Sequence, residues 1–89
     1  MTYSLNVEAA DKAAAIAAAT GEIDALAATG ELPAIARDAI VAAVEAHVAL
    51  LPDPGAGEVV GVGVNGAASD YGAGFVAVQT GVSVIVKPA

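Results

Sequence analysis

The chain has no cysteine and no tryptophan, one phenylalanine, two tyrosines and three basic side chains in 89 residues. Without cysteine, disulfides, zinc–thiolate sites and thiol chemistry are all excluded, and the redox compartment stays open. Three Lys and Arg against ten Asp and Glu leave a net charge of −7. A nucleic-acid backbone is held by clustered cations that displace counterions, so it is not an expected partner. An anionic membrane surface is disfavoured for the same reason. The first residues, from Met1 to Glu8, show no basic segment followed by an apolar core, so they do not read as a signal peptide. The longest charge-free run, 71–86, falls short of the roughly 20 residues a spanning helix needs. It is also interrupted by Gly72, Gly74, Gln79, Thr80, Gly81 and Ser83.

What is present is small. Of the residues, 57% are hydrophobic, but 24 are alanine, against 13 valines, five leucines and five isoleucines. Such a chain holds one domain with one modest core, spanning 1–89.

Residues 2–7 alternate, with Tyr3, Leu5 and Val7 against Thr2, Ser4 and Asn6, which predicts a strand with one polar face. Asn6 is then placed to cap a helix over about 8–29, with Glu8 and Asp11 in its first turn. Ile16, Ala19, Ile23 and Leu26 form its apolar stripe, and the helix is expected to run through Gly21. Gly30 followed by Pro33 ends it and opens a second helix over about 33–50. Ile40, Val44, His47, Val48 and Leu51 share one face of that helix, and Pro52 stops it. Beyond the turn at 53–57 the period changes to two. Strands are expected over about 58–66 and 73–87, joined by a loop of Gly66 to Gly72 and paired as an antiparallel hairpin. The order strand, helix, helix, strand, strand predicts an α+β, two-layer domain. A three-stranded sheet (β-α-α-β-β) carries an antiparallel helix pair on one face.

The other face of that sheet is expected to carry Val59, Gly61, Gly63, Phe75, Ala77 and Ile85. Glycine at alternate strand positions leaves little to pack and lets another backbone approach, so these six residues form the candidate interaction surface.

The remaining motifs lack their required context. Gly61, Gly63 and Gly66 match the dinucleotide spacing, but they alternate with valine inside a strand, and no acidic residue stands about 20 positions on. His47, the single histidine, has no partner in sequence for catalysis or metal binding, and is expected at the edge of the helix–sheet interface. Asp53, Glu58 and Asp70 are loop acids without a calcium-loop pattern. Ser69-Asp70-Tyr71 places hydroxyls beside a carboxylate without a base. The acids are spread along the chain rather than clustered as a nucleic-acid mimic requires. No catalytic group, no cofactor and no metal site is therefore expected, and no small-molecule substrate.

From Glu45 to Val86 the chain carries a helix ending in Leu-Leu-Pro-Asp-Pro-Gly, then Gly-Glu-Val-Val-Gly-Val-Gly-Val-Asn-Gly, a loop, and Phe-Val-Ala-Val-Gln-Thr-Gly-Val-Ser-Val. With the opening Tyr-Ser-Leu-Asn-Val and Asp11, this pattern resembles small proteins encoded by phages of high-GC actinobacteria. Taken with the missing catalytic groups, the small core and the glycine and apolar outer sheet face, that resemblance leads us to expect a non-enzymatic phage structural or accessory protein acting by protein–protein contact, a small capsid- or tail-associated component of the virion. The alternative is a cytoplasmic acidic regulator or inhibitor that binds a host enzyme. The expected partner is another protein, a virion subunit or a second copy, and the expected location is the virion or else the host cytoplasm.

Overall fold

The computed structural model describes residues 2–89, apart from the side chain of Asp70. The elements are β1 (Thr2–Ala9), α1 (Lys12–Thr29), a 3-10 turn (Ala34–Ala36), α2 (Arg37–Ala49), β2 (Glu58–Gly72) and β3 (Phe75–Pro88). They form an α+β domain whose sheet has the order β1-β2-β3, with both neighbouring pairs antiparallel.

In β1, Tyr3 and Leu5 are buried while Thr2, Ser4, Asn6 and Glu8 are exposed. The strand runs past residue 7 because β2 keeps offering partners, from Thr2↔Ala67 to Ala9↔Val60. Asn6 therefore sits inside the ladder opposite Gly63 and is not the helix cap. Asp11 caps instead, its Oδ1 accepting the Ala14 N–H at 2.7 Å, and the helix begins at Lys12 rather than near residue 8.

α1 buries Ala15, Ala19 and Ile23, while Ile16 and Leu26 are only half-buried. The contact line is thus turned toward alanine, where a methyl side chain lets the helix lie close to its neighbours. Gly21 lies within α1 on its exposed side, with open space where a Cβ would be. The helix closes at Gly30, whose φ of +81° is the left-handed value that glycine takes without strain. The Leu32 N–H then donates to the Leu26 carbonyl at 3.2 Å, and the Leu32 side chain is buried.

Pro33 does not open α2. Its ψ of 130° is extended, and the 3-10 turn intervenes before Arg37. From there α2 buries Ile40, Val41, Val44 and Val48 and stops at Ala49, ahead of Pro52. These side chains join Tyr3, Leu5, Ile23, Leu32, Val60, Val62 and Val64 in one core on a single face of the sheet. α1 lies over β1 and β2, and α2 packs against α1 and over β3.

The expected loop from Gly66 to Gly72 is strand. Pairing continues through Gly66↔Thr80, Ala67↔Gln79, Ala68↔Val78, Ser69↔Ala77 and Asp70↔Val76, with a bulge before Gly72↔Phe75. A two-residue connection, Ala73-Gly74, has positive φ at both positions (52° and 84°), the turn whose twist matches that of a hairpin. Turn geometry and register carry this strand where the Gly/Ala/Ser composition alone points to a loop. The hairpin consequently outruns β1, and the molecule measures 51 × 21 × 16 Å.

Candidate functional site

The face of the sheet away from the helices is made by alternate residues. By register, Val59 lies opposite Lys87, Gly61 opposite Ile85, Gly63 opposite Ser83, and Ser69 opposite Ala77. All six expected surface residues belong to this face. Its glycines, however, are covered by their own neighbours. A Cβ on Gly61 would stand 3.1 Å from Ile85 Cγ2. One on Gly63 would stand 3.0 Å from Asn6 Oδ1 and 3.1 Å from Ser83 Oγ, and one on Gly81 3.1 Å from Asn65 Oδ1. Gly61 is buried and Gly63 half-buried within the single chain. The bare glycine row anticipated from the alternation is therefore filled by cross-strand side chains.

The surface also divides in two. Val59, Gly61, Gly63 and Ile85 sit at the helix-backed end, where Gly61, Gly63 and Ile85 line a depression of about 380 Å³ together with Asn6, Glu8 and Lys87. Phe75 and Ala77 sit eight or more positions away from Ile85, about 25 Å or more along the strand. Between them the face is polar, with Thr2, Ser4, Asn65, Gln79 and Gly81 around a second, larger depression of about 720 Å³. The six candidate residues therefore form two short apolar regions separated by amides and hydroxyls.

Besides Ile35 and Leu50 beside the helices, which stand single and exposed, the apolar exposure outside the candidate surface lies on the hairpin beyond β1. Every residue from 71 to 80 is exposed. Tyr71 is 74% exposed, Phe75 70%, Val76 43% and Val78 37%, whereas Val60, Val62 and Val64 in the same hairpin are 2% or less. Tyr71 stands in a stretch, Gly66 to Gly72, whose composition is turn-forming and hides a strand. Val76 and Val78 lie by register on the helix side of the sheet, where nothing covers them fully.

Tyr3 marks where the lid ends. Its ring crosses β2 at Gly66, and its hydroxyl contacts Thr80 Oγ1 on β3 and donates to the Gln79 carbonyl at 3.4 Å. A Cβ on Gly66 would lie 2.6 Å from the ring carbon Cζ, so the missing side chain is what lets the ring pass.

The electrostatics are one-sided. All three Lys and Arg are engaged within the chain. Lys12 donates to the Leu51 carbonyl at 2.9 Å and faces Asp53 at 3.8 Å, and Lys87 pairs with Glu8 across β2. Arg37 grips Asp24 through Nε at 2.7 Å and Nη2 at 3.3 Å, and reaches Asp38 at 2.9 Å. The Arg37 hydrogen bond holds the Asp24 carboxyl below its ordinary range, and both partners keep the guanidinium charged more firmly. The uncompensated charge is carried by residues 1–58, with nine acidic against two basic side chains; residues 59–89 carry one of each.

The other motifs are placed as follows. Gly61, Gly63 and Gly66 are all mid-strand in β2 and paired on both sides, so their amides serve the ladder rather than a phosphate. His47 is exposed at the rim of a groove between α2 and β3, its Nδ1 donating to the Ala43 carbonyl at 2.7 Å. Glu58 accepts the Gly55 N–H at 2.7 Å and pins the turn. Asp70 as a cation ligand or a neighbour of Ser69 lies outside the described residues. Among the described residues no three His, Asp or Glu side chains converge as a metal would need, and no helix is long and apolar enough to cross a membrane. No family model, curated protein or solved structure matches this chain.

Proposed function

We propose that this chain is a non-enzymatic phage structural or accessory protein that works by protein–protein contact, as a small capsid- or tail-associated component of the virion. The observation that carries the contact reading is the projecting hairpin. From 71 to 80 it presents Tyr71, Phe75, Val76 and Val78 to solvent, with Val78 at the margin of the α2 groove and the rest past β1. Exposed aromatic and β-branched side chains on a rigid paired arm lose little conformational freedom on docking and bury much apolar area. The virion setting comes from the resemblance in sequence pattern.

Mass spectrometry of purified particles of the encoding phage tests this reading. Tens to hundreds of copies per particle are expected, and Tyr71→Ser with Phe75→Ser should abolish incorporation. A particle lacking the protein overturns the virion role. One observation favours the acidic regulator instead: the charge of −7 stands on a surface whose cations are all spoken for. That reading requires a basic host partner whose binding weakens steeply with salt, because exposed charges are screened over about 10 Å at 0.1 M. Docking through the hairpin should change little between low and high salt.

A further inference from the structure

Sheet edges expose unpaired N–H and C=O groups, and proteins usually blunt them with charge, proline, a bulge or brevity. β3 is an edge strand, since the sheet order is β1-β2-β3. From Phe75 to Val86 it has no charged residue and no proline. Its register with β2 is unbroken from Glu58↔Pro88 to Asp70↔Val76. Twelve regular residues make an open edge of about 40 Å. Such an edge in a chain of this charge invites one particular occupant.

We propose that β3 pairs antiparallel with β3 of a second copy of this chain, about a two-fold axis at Gly81, giving one continuous six-stranded sheet with all four helices on the same side. Three independent features meet in this arrangement. First, the strand is self-complementary in that register. On the helix side, Thr80 falls opposite Val82 of the second copy, Val78 opposite Val84 and Val76 opposite Val86, all β-branched pairs of the kind that stabilise cross-strand contact. On the outer side, Gln79 meets Ser83, Ala77 meets Ile85, and Phe75 meets the stem of Lys87. A shift of the axis to residue 82 would place Pro88 in the ladder opposite Val76, where it has no N–H to give.

Second, the pairing covers what the single chain leaves open. Val76 and Val78 are 43% and 37% exposed, and their partners would be the half-buried Val86 and Val84. Beside them runs a groove of about 400 Å³ between α2 and β3, lined by Ala36, Ala39, Ala43, Val78 and Val82 and by no residue of α1. Alanine on that flank of α2 allows the second copy's helix to approach closely. Third, charge selects a like copy. Residues 59–89 have no net charge, with one acid and one base, while nine of the ten acids stand on the first 58, so β3 is the part of this chain that can meet itself without repulsion. The pairing shares Phe75, Val76 and Val78 with the arm proposed above for docking, yet it is read by sedimentation of the purified chain, and the virion role by the composition of the particle. Failure of the dimer therefore leaves the virion reading standing, and absence from the particle leaves the dimer standing.

The test uses the full chain in analytical ultracentrifugation. The wild type should sediment at twice its 8.5 kDa mass. Gln79→Glu with Ser83→Glu sets two like-charged pairs across the axis, whereas Gln79→Lys with Ser83→Glu sets two opposite ones. Both positions are exposed in the single chain, and circular dichroism checks that each variant folds. The opposite-charge variant should dimerise about ten-fold more tightly than the like-charge variant. Mixing the like-charge Glu variant with Gln79→Lys, Ser83→Lys should restore pairing as a heterodimer. A wild type that stays at monomer mass up to about 1 mM, in the range of the weakest specific complexes, overturns the proposal, even if a strand from some other protein binds the edge. A dimer equally strong in both charge variants overturns it too, because it must then use another surface.

Discussion

The two ends of one hairpin make an instructive contrast. At the helix-backed end, Val60, Val62 and Val64 on β2 are buried against Ile23, Val44 and Val48, and Val82, Val84 and Val86 on β3 pack against the same core. At the far end, Val76 and Val78 occupy the same face, in the same alternation and the same unbroken register, and lie open. Strand chemistry is alike at both ends. What differs is the neighbour: β1 pairs only with 60–67, and the core residues of both helices gather over that stretch. Alternation therefore encodes which side of a strand is apolar, while the length of the other elements decides how much of that side becomes core. The uncovered remainder is where contact with another molecule has most to gain.

The contrast can be broken directly. Val62→Asp buries an uncompensated carboxylate and is expected to cost about 3–5 kcal/mol, enough to unfold a chain this small in a urea titration. Val76→Asp on the arm should leave the isolated chain within about 0.5 kcal/mol of wild type. Equal losses at the two sites would show that the arm is packed after all.

Gly66→Ala probes the boundary between the two ends. The new methyl meets both the Gln79 carbonyl of β3 and the Tyr3 ring, and a loss of about 1–3 kcal/mol is expected from overpacking. Combining it with Tyr3→Ala should give less than the sum of the single losses, since only the carbonyl then stands against the methyl. Additive losses would place the whole clash on the carbonyl.

Smaller effects sharpen the picture at the two turns. Asp11→Ala removes the α1 cap and should cost about 1 kcal/mol, whereas Asn6→Ala, which caps nothing, should not reproduce that loss. Ala73→Gly relieves a left-handed φ of 52° at the arm tip. It should stabilise the hairpin by less than about 1 kcal/mol, because glycine's greater unfolded-state freedom offsets part of the relief.

The smallest effect belongs to the surface ion pair. Arg37 lowers the Asp24 pKa in the folded state, so the pair contributes stability above the unfolded-state pKa and loses it as pH falls through the folded value. Asp24→Asn should melt slightly below wild type at neutral pH. The two curves should converge as pH drops below about 4, where the carboxyl is protonated in the unfolded chain. A gap that persists in acid would assign the difference to something other than this charge.

Much of the architecture was legible in the residues. Tyr3 and Leu5 alternating with Thr2, Ser4 and Asn6 describe a half-buried strand, and the period-two valines of 58–66 and 76–86 describe the hairpin. Gly30 and Pro52 punctuate the helices by backbone sterics alone. Asn6 and Asp11 are both competent caps, and only the reach of β1 along β2 settles which is free to act. The extension of β2 through Ala67, Ala68 and Ser69 was hidden because small residues carry no strand signal, and their pairing is imposed from across the ladder by β3. The candidate surface suffered a similar fate. Gly61 and Gly63 look bare in a list of residues, yet Ile85, Asn6 and Ser83 stand over them from strands far away in sequence.

The amino-acid order by itself determined the alternation of faces, the alanine-rich helices, the stops at Gly30 and Pro52, and a charge confined to the first 58 residues. Each of these follows from local sterics, side-chain volume and composition. Only the tertiary structure decided that the hairpin outruns its lid, that its glycines are roofed, and that β3 is an open edge. Those features depend on which elements meet and where each of them ends, and a residue carries no local record of a neighbour that is missing.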